Sequence, residues 1–435
     1  MGRLTDIIGG YYVFVGGLVW FTIWSLVAGF SQNYIMLIFC RAMQGFGPAA
    51  YLPSGVMLLG RTYRPGPRKN LIFFLYGAFS PIGFFTGIFV AGLSGQYLPW
   101  NWFFYLGVIL LGIVTGVACL TIPSDRSQRH SGEIKMDWLG AALIVPGLCL
   151  IVFALTDSSH APSGWRTSYI YVTLILGIMC LSAAFYVEGW VAKMPLLPFE
   201  IFKIKQMKPL ALSLFFSYGV FGLYLFYASF YIEDILGATA LQTVAWFAPM
   251  AGGGLILATA GGLILHRLPG TALLILSALG SVLCVLLFAI IPAEPNYWAY
   301  IFPAMVCATI GVDISYSVSN VFITTSMTSK QQGLAGAFVN SLYFLGVSFF
   351  LGVADMAAAA NKKHGIKQSY KAAFWFGVAC AAVALVLLVG FVKIDAAKSD
   401  LTADEKAELQ LELRTRPETA GSTAEGTEET RTEQR

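Results

Sequence analysis

Two charged side chains stand inside long apolar runs. Arg41 lies in Phe39-Cys40-Arg41-Ala42-Met43-Gln44-Gly45, and Asp313 lies in Gly311-Val312-Asp313-Ile314-Ser315-Tyr316. An ionisable group within a bilayer is costly, and it faces a partner or a water-filled path rather than lipid. Each is therefore a candidate for carrying a proton or contacting a charged solute. The alternative for each is a structural ion pair or bonding to backbone carbonyls. Thr309, Asp313, Tyr316, Ser317, Asn320 and Thr324 follow steps of three and four and share one helical face. Ser213, Ser217, Tyr224, Tyr227 and Tyr231 form a second polar stripe. With Arg41 and Gln44, the two faces are expected to wall a central aqueous cavity with aromatic sides, suited to an amphipathic organic solute. Interhelical hydrogen bonding is the other use of such hydroxyl stripes.

The elements that position these residues follow from composition. Of 435 residues, 57% are hydrophobic and 11% charged, against about 25% charged in an ordinary soluble domain. Mean hydropathy is +0.71. A soluble globule cannot bury that much apolar surface. Twelve stretches of about 20 mostly apolar residues, the length that crosses a bilayer, run along the chain. They are Tyr12–Phe30, Tyr34–Leu59, Ile72–Leu93, Trp102–Ile122, Trp138–Leu155, Tyr169–Val187, Leu210–Tyr231, Thr243–Leu265, Ala272–Ile291, Trp298–Thr325, Ala335–Met356 and Lys371–Val392. Backbone groups in lipid must pair within the segment, so these are helices; no alternating ten-residue pattern of a β-barrel appears. The chain reads as an all-α polytopic membrane protein. Glycine and proline inside the spans (Gly77, Pro81, Gly83, Gly87 and Gly92 in the third; Pro249, Gly252, Gly253, Gly254, Gly261 and Gly262 in the eighth) permit close approach and bending.

Basic residues give the orientation. Arg61, Arg64, Arg68 and Lys69 follow the second span, Arg126, Arg129 and Lys135 the fourth, and Lys193, Lys203, Lys205 and Lys208 the sixth. These breaks, Met1 and the C-terminal tail are expected on the cytoplasmic side. Asn361–Lys371 carries four lysines on the opposite side and departs from the rule. The tail from Lys393 holds 18 of the chain's charged residues; Asp400–Arg414 reads as a short surface helix and Pro417–Arg435 as disordered. A net charge of +4 implies no nucleic-acid partner. The seven cysteines lie in apolar runs and read as small buried hydrophobes. The four histidines lie in polar breaks, so the spans hold no nucleophile, base or metal set. An enzyme is the least supported class, and no cofactor or metal is implied. Tyr34-Ile35 and Gly45 recur as Tyr300-Ile301 and Gly311 at an offset of 266, a faint internal echo of two parallel halves.

At the level of motifs the chain resembles the major facilitator superfamily, within it the fourteen-spanner drug:proton antiporters of the fungal aminotriazole-resistance type. Gly2-Arg3-Leu4-Thr5-Asp6-Ile7-Ile8-Gly9 resembles the cytoplasmic loop between family spans two and three, and Arg41-Ala42-Met43-Gln44-Gly45 resembles the fourth-span motif. Gly77 through Gly87 resembles the antiporter motif of span five, and Trp100-Asn101-Trp102-Phe103-Phe104 the start of span six. Asp137-Trp138-Leu139-Gly140, Pro195-Leu196-Leu197-Pro198 and Gln332-Gly333-Leu334-Ala335 also fall where such proteins carry similar strings. On this register the twelve stretches are family spans three to fourteen, and spans one and two have no counterpart. Gly10-Tyr11 stands where the loop motif usually ends in a basic pair, and Asn101 where an arginine is usual.

The resemblance implies a major facilitator helical bundle with residues 1–123 as an N-terminal half, 124–193 as a linker pair, 194–393 as a C-terminal half of six helices and 394–435 as a cytoplasmic tail. It implies proton coupling through Arg41, to which Asp313 is added as a second proton-coupling residue. Gln44, Ser213, Ser217, Tyr224, Tyr227, Tyr316, Ser317 and Asn320 are the expected cavity wall, and Gly2, Asp6 and Gly9 the gating loop motif. The expected function is proton-coupled efflux of a small organic compound, a drug or secondary metabolite, by a monomer in the plasma membrane. Its partners are the solute, protons and the lipid bilayer. Two alternatives stand beside it: low-affinity transport of a small solute such as ammonium or borate, and a truncated partner or sensor that does not transport.

Overall fold

The computed structural model describes residues 2–62, 67–122, 136–192, 195–196, 198–264, 268–327 and 332–395. A short helix, α1 (Gly2–Ile8), precedes twelve long ones. These are α2 (Gly10–Gly29), α3 (Tyr34–Thr62), α4 (Pro67–Tyr97), α5 (Trp102–Thr121), α6 (Trp138–Asp157), α7 (Ser168–Tyr186), α8 (Met207–Phe230), α9 (Ala240–Ile264), α10 (Gly270–Ala289), α11 (Phe302–Thr325), α12 (Gln332–Ala360) and α13 (Ile366–Phe391). Each overlaps one expected stretch over most of its length. Among the described residues, eleven helices are long and apolar enough by themselves to cross a bilayer. The protein is an integral, multi-pass membrane protein.

Local chemistry sets the helix ends. Asn33 Oδ1 accepts the Met36 amide at 2.8 Å and starts α3. Asp137 Oδ1 does the same for Gly140 at the head of α6, also at 2.8 Å. These short polar side chains satisfy first-turn donors that no intrahelical carbonyl reaches. Helix α13 begins five residues before the expected stretch. Gly365, with φ of 97°, makes the break that only glycine adopts easily, and the helix runs on from it through Lys367 and Lys371. Prolines Pro48, Pro53, Pro81, Pro146 and Pro249 all lie inside long helices.

Glycine makes the tightest helix crossings. A methyl group on Gly17 of α2 would lie 2.9 Å from Ala50 of α3. On Gly177 of α7 it would lie 3.0 Å from the Gly147 carbonyl of α6, and on Gly280 of α10 it would lie 2.7 Å from the Cys307 carbonyl of α11. With no hydrophobic drive between helices in lipid, this close backbone approach is what holds them.

Helices α8 to α13 surround two large apolar clusters. One contains Tyr224, Phe288 and Phe374, the other Met207, Leu214, Tyr218 and Leu274. In the first part of the chain, α2 packs between α3 and α5 over a small cluster of Ala28, Cys40 and Phe104. Helix α4 instead packs along α9: a methyl on Gly92 would meet Val244, and one on Gly254 would meet Pro81. Helices α6 and α7 pair with each other and rest on α12 through α6. Beyond α13 the backbone stays with the bundle. Ile394 is buried, its amide donates to Thr271 Oγ1 at 2.7 Å, and the Thr271 amide donates to the Ile394 carbonyl at 3.0 Å. The expected surface helix at Asp400–Arg414 lies outside the described residues.

Candidate functional site at the α4, α9 and α11 junction

Asp313 sits halfway along α11, where α4 and α9 come closest to it. A Cβ built on Gly254 of α9 would stand 2.8 Å from Pro81 Cβ of α4 and 3.0 Å from Asp313 Oδ2. Gly254 therefore keeps a space that any side chain would close, and it lets the carboxylate reach the seam between the two parts of the chain. One turn away, Thr309 Oγ1 donates to the Met305 carbonyl of its own helix at 2.9 Å and lies 3.4 Å from the Met250 carbonyl of α9. That hydroxyl is committed to backbone.

A run of tyrosines leads away from the carboxylate, beginning with Tyr343. The Tyr316 ring meets Tyr343 of α12 edge-on at 6.4 Å, and Tyr343 meets Tyr218 of α8 at 5.0 Å. Tyr343 lies within electrostatic reach of Asp313, and Tyr76 of α4 within reach of Tyr316. Tyr51 of α3 is in turn close to Tyr76. Asn340 faces the Tyr316 hydroxyl from α12. Phenols supply flat apolar faces with a polar tip, and the carboxylate adds one proton-binding or cation-binding group. Ser317, exposed, and Asn320, half-buried, continue this face along α11.

The other expected residues are placed elsewhere. Ser213 is fully buried and bonds its own helix at the Leu210 carbonyl, 2.8 Å away. Ser217 is buried as well. Tyr224 is buried against Phe288 at 5.4 Å, and its hydroxyl donates to Met305 Sδ at 3.3 Å. Tyr227 reaches Asp355 near the end of α12. The α8 stripe thus faces the packed interior of α8 to α13, and Tyr218, on another face of that helix, is the residue it brings to Tyr343 and to Ser319 of α11. Periodicity shows that residues share a face; it does not show which neighbour that face meets.

Arg41 is exposed and Gln44 buried. Arg41 Nη1 donates to Gln44 Oε1 at 2.9 Å, Gln44 Nε2 donates to Ser25 Oγ of α2 at 2.8 Å, and Ser25 Oγ donates to the Phe21 carbonyl at 2.7 Å. This chain fixes the guanidinium to α2. Gln44 supports Arg41 instead of lining the Asp313 site, and Arg41 and Asp313 form no ion pair. In the loop motif, Gly2 opens α1 and Gly9, with φ of 107°, turns the chain into α2. Helix α1 touches both α3 and α12. The side chain of Asp6 lies outside the described residues.

Tyr51, Tyr76, Asn340, Tyr343 and Asp355 were not singled out from the sequence. Asn340 and Tyr343 are one helical step apart, a short polar signal in an apolar stretch. Asp355 stands at the end of the stretch Ala335–Met356, where it reads as a boundary residue. No signal in the sequence distinguishes Tyr51 or Tyr76 from the chain's other tyrosines. No metal-binding group of His, Cys, Asp and Glu is found among the described residues.

A bundle of twelve long helices, with an ionisable residue and a tyrosine cluster at the seam between its two parts, is the architecture of a secondary transporter. The sequence signature of the Major Facilitator Superfamily matches residues 1–351, and the chain belongs to that superfamily. It is 32% identical to the low affinity ammonium transporter of Saccharomyces cerevisiae, over 93% of this chain and 80% of that protein. It is 30% identical to the efflux pump terJ of Aspergillus terreus, over 92% and 78%. It is 31% identical to the aminotriazole resistance protein of Saccharomyces cerevisiae, over 89% and 72%. Among solved structures, an auto inhibited POT family peptide transporter superposes with a TM-score of 0.60 at 13% identity, over 91% of this chain and 86% of that one. At that identity the likeness shows the fold alone.

Proposed function

We propose that this transporter is a proton-coupled exporter of a small organic compound in the cell membrane, working as a monomer. The observation that carries the reading is the placement of Asp313: a carboxylate at the contact of α4, α9 and α11, with Tyr343 of α12 in its electrostatic reach and Tyr316 and Tyr76 continuing from it. Rocking of the two parts of a transporter exposes a site at their interface to each side in turn. A carboxylate there can hold a proton in one state and release it in the other. Tyr76, Tyr316 and Tyr343, with Ser317 and Asn320, form the solute wall. Arg41, fixed by Gln44 and Ser25, acts on proton release from the other part of the bundle. On this reading residues 1–123 and 194–393 are the moving halves and 124–193 the linker pair. The likeness to efflux pumps supports the direction of transport.

The test is efflux from proteoliposomes under an imposed proton gradient. Asp313→Asn, which keeps shape and removes the proton site, is expected to abolish gradient-driven movement while leaving solute exchange without a gradient. Arg41→Ala is expected to do the same. Unchanged gradient-driven efflux in both variants would overturn the assignment. The likeness to an ammonium transporter supports a second reading, low-affinity transport of ammonium or a similar small solute. Competition separates the two: excess ammonium suppresses movement of the organic solute only if the two share one path.

A further inference from the structure

Asp355 lies outside the Asp313 site, and its surroundings have their own chemistry. We propose that Asp355 is a hub at the outer end of α12 that fastens the α6–α7 pair to the bundle, and that protonation of His160 tightens this fastening.

The two helices meet at backbone range one turn from Asp355. A Cβ on Gly352 would stand 2.8 Å from Thr156 Oγ1 and 3.5 Å from Leu155 Cβ of α6. Just beyond α6, Ser159 Oγ lies 2.5 Å from Asp355 Oδ2, and His160 Nδ1 lies 3.4 Å from the same oxygen. From the other side, the Tyr227 hydroxyl reaches Asp355 Oδ1 at 3.4 Å. One carboxylate thus ties α12 to both α6 and α8.

Proton counting supplies the switch. Ser159 has a single hydroxyl hydrogen, yet its Oγ lies 2.9 Å from the Thr156 carbonyl and 2.9 Å from His160 Nδ1 as well as near Asp355. His160 Nδ1 is itself 3.3 Å from the Thr156 carbonyl. A neutral imidazole that carries its proton on Nε2 offers a lone pair at Nδ1 and competes with Asp355 for the serine hydrogen. An imidazolium carries hydrogens on both nitrogens. It donates to Ser159 Oγ, leaves the serine hydrogen to Asp355, and places a positive charge beside the carboxylate. The His160 side chain is 68% exposed and that of Asp355 27% exposed.

The other charged and titratable groups nearby are already engaged. Tyr227 packs on Tyr370 of α13 at 5.8 Å, and the Tyr370 hydroxyl donates to Asp234 at 2.6 Å. Asp157 accepts from the Tyr169 hydroxyl at 2.6 Å, and Lys371 Nζ donates to the Ile291 carbonyl at 2.9 Å. Among the described residues His160 is the cation paired with Asp355. Helix α12 also carries Asn340 and Tyr343, so the fastening acts on a helix that lines the candidate site.

The test reads the docking itself. Ser158, at the end of α6, is 4% exposed. Ser158→Cys in the full chain, in liposomes, places a thiol that a membrane-impermeant maleimide reaches only when this end of α6 lifts away; peptide mass separates it from the native cysteines. Labelling is compared with Ser158→Cys/His160→Gln at about pH 5.5 and about pH 8, either side of the ordinary histidine range. The ratio of the two rates at one pH cancels the reagent's own pH dependence. The double variant is expected to label about three- to fivefold faster at the lower pH, the effect of a partly exposed ion pair, and at an equal rate at the higher. A ratio that does not change with pH overturns the switch. Asp355→Asn, added to both, is expected to label fast at both values with no effect of His160→Gln. Persistence of the acid protection in that background overturns the hub. His160 is exposed, so its replacement leaves the apolar core intact, and monodispersity in detergent checks each variant.

Discussion

At the scale of single residues, the two intramembrane charges play different parts. Asp313 faces a seam, whereas Arg41 is held by a side-chain relay that ends on the backbone of α2. The relay makes a specific prediction. Gln44→Ala removes the acceptor that fixes the guanidinium and leaves Ser25 bonded to Phe21. It should cost about 2 kcal/mol of stability, the net worth of two typical hydrogen bonds, and reduce gradient-driven transport more than gradient-free exchange. Thermal melting in detergent and transport in liposomes check the two halves of the statement; an equal loss in both transport modes would mean that Gln44 acts on packing alone. Both charges were legible in the sequence because an ionisable residue in an apolar stretch stands out by its cost. The tyrosine wall was less so. Tyr316 was found by its spacing from Asp313, but Tyr76 and Tyr343 belong to other helices, and no spacing along one helix reports a contact with another.

At the scale of elements, glycine decides which helices touch. Gly219 of α8 faces Phe350 of α12 so closely that a Cβ would stand 2.5 Å from Phe350 Cγ, and one on Gly222 would stand 2.9 Å from Val347 Cγ2. Gly219→Leu should push α8 from α12, with a cost of about 1–3 kcal/mol typical of overpacking, and lower the melting temperature in detergent. Gly254→Ala is expected to act differently. Its methyl would press on Pro81 and Asp313 at the seam, so transport should fall several-fold while the melting temperature stays near that of the parent. A melting temperature lowered as far as in Gly219→Leu would show that Gly254 serves packing rather than the site. The sequence displayed these glycines as a composition feature. Which of them sit at crossings follows from how the helices are arranged.

At the scale of the whole molecule, α4 and α9 form the long contact between the first and last parts of the chain. Near the C-terminal end of α4 and the start of α9, Gly95 and Ala240 face each other, and a Cβ on Gly95 would lie 3.8 Å from Ala240 Cβ. That is the mean Cβ separation of a disulfide, about 3.8 Å. Gly95→Cys with Ala240→Cys should therefore cross-link on mild oxidation. If transport requires this end to open, the oxidised protein should stop turning over and recover in reductant. Continued transport by the cross-linked form would show that the contact stays closed throughout the cycle.

By itself, the sequence determined the number and approximate bounds of the long helices. Lipid forces every backbone group to pair locally, so an apolar run of sufficient length has one available structure. It also marked Asp313 and Arg41, because intramembrane charge is too costly to be incidental, and its motifs pointed to the superfamily. The tertiary structure decided the rest. It turned the Ser213, Ser217 and Tyr224 face into the packed interior and brought Tyr343 towards Asp313 and Tyr76 towards Tyr316. It also set Asp355 against Ser159 and His160, residues almost two hundred positions away. Helix periodicity fixes a side chain's direction about its own axis, but the rotation and neighbours of each helix are set by close packing among all of them.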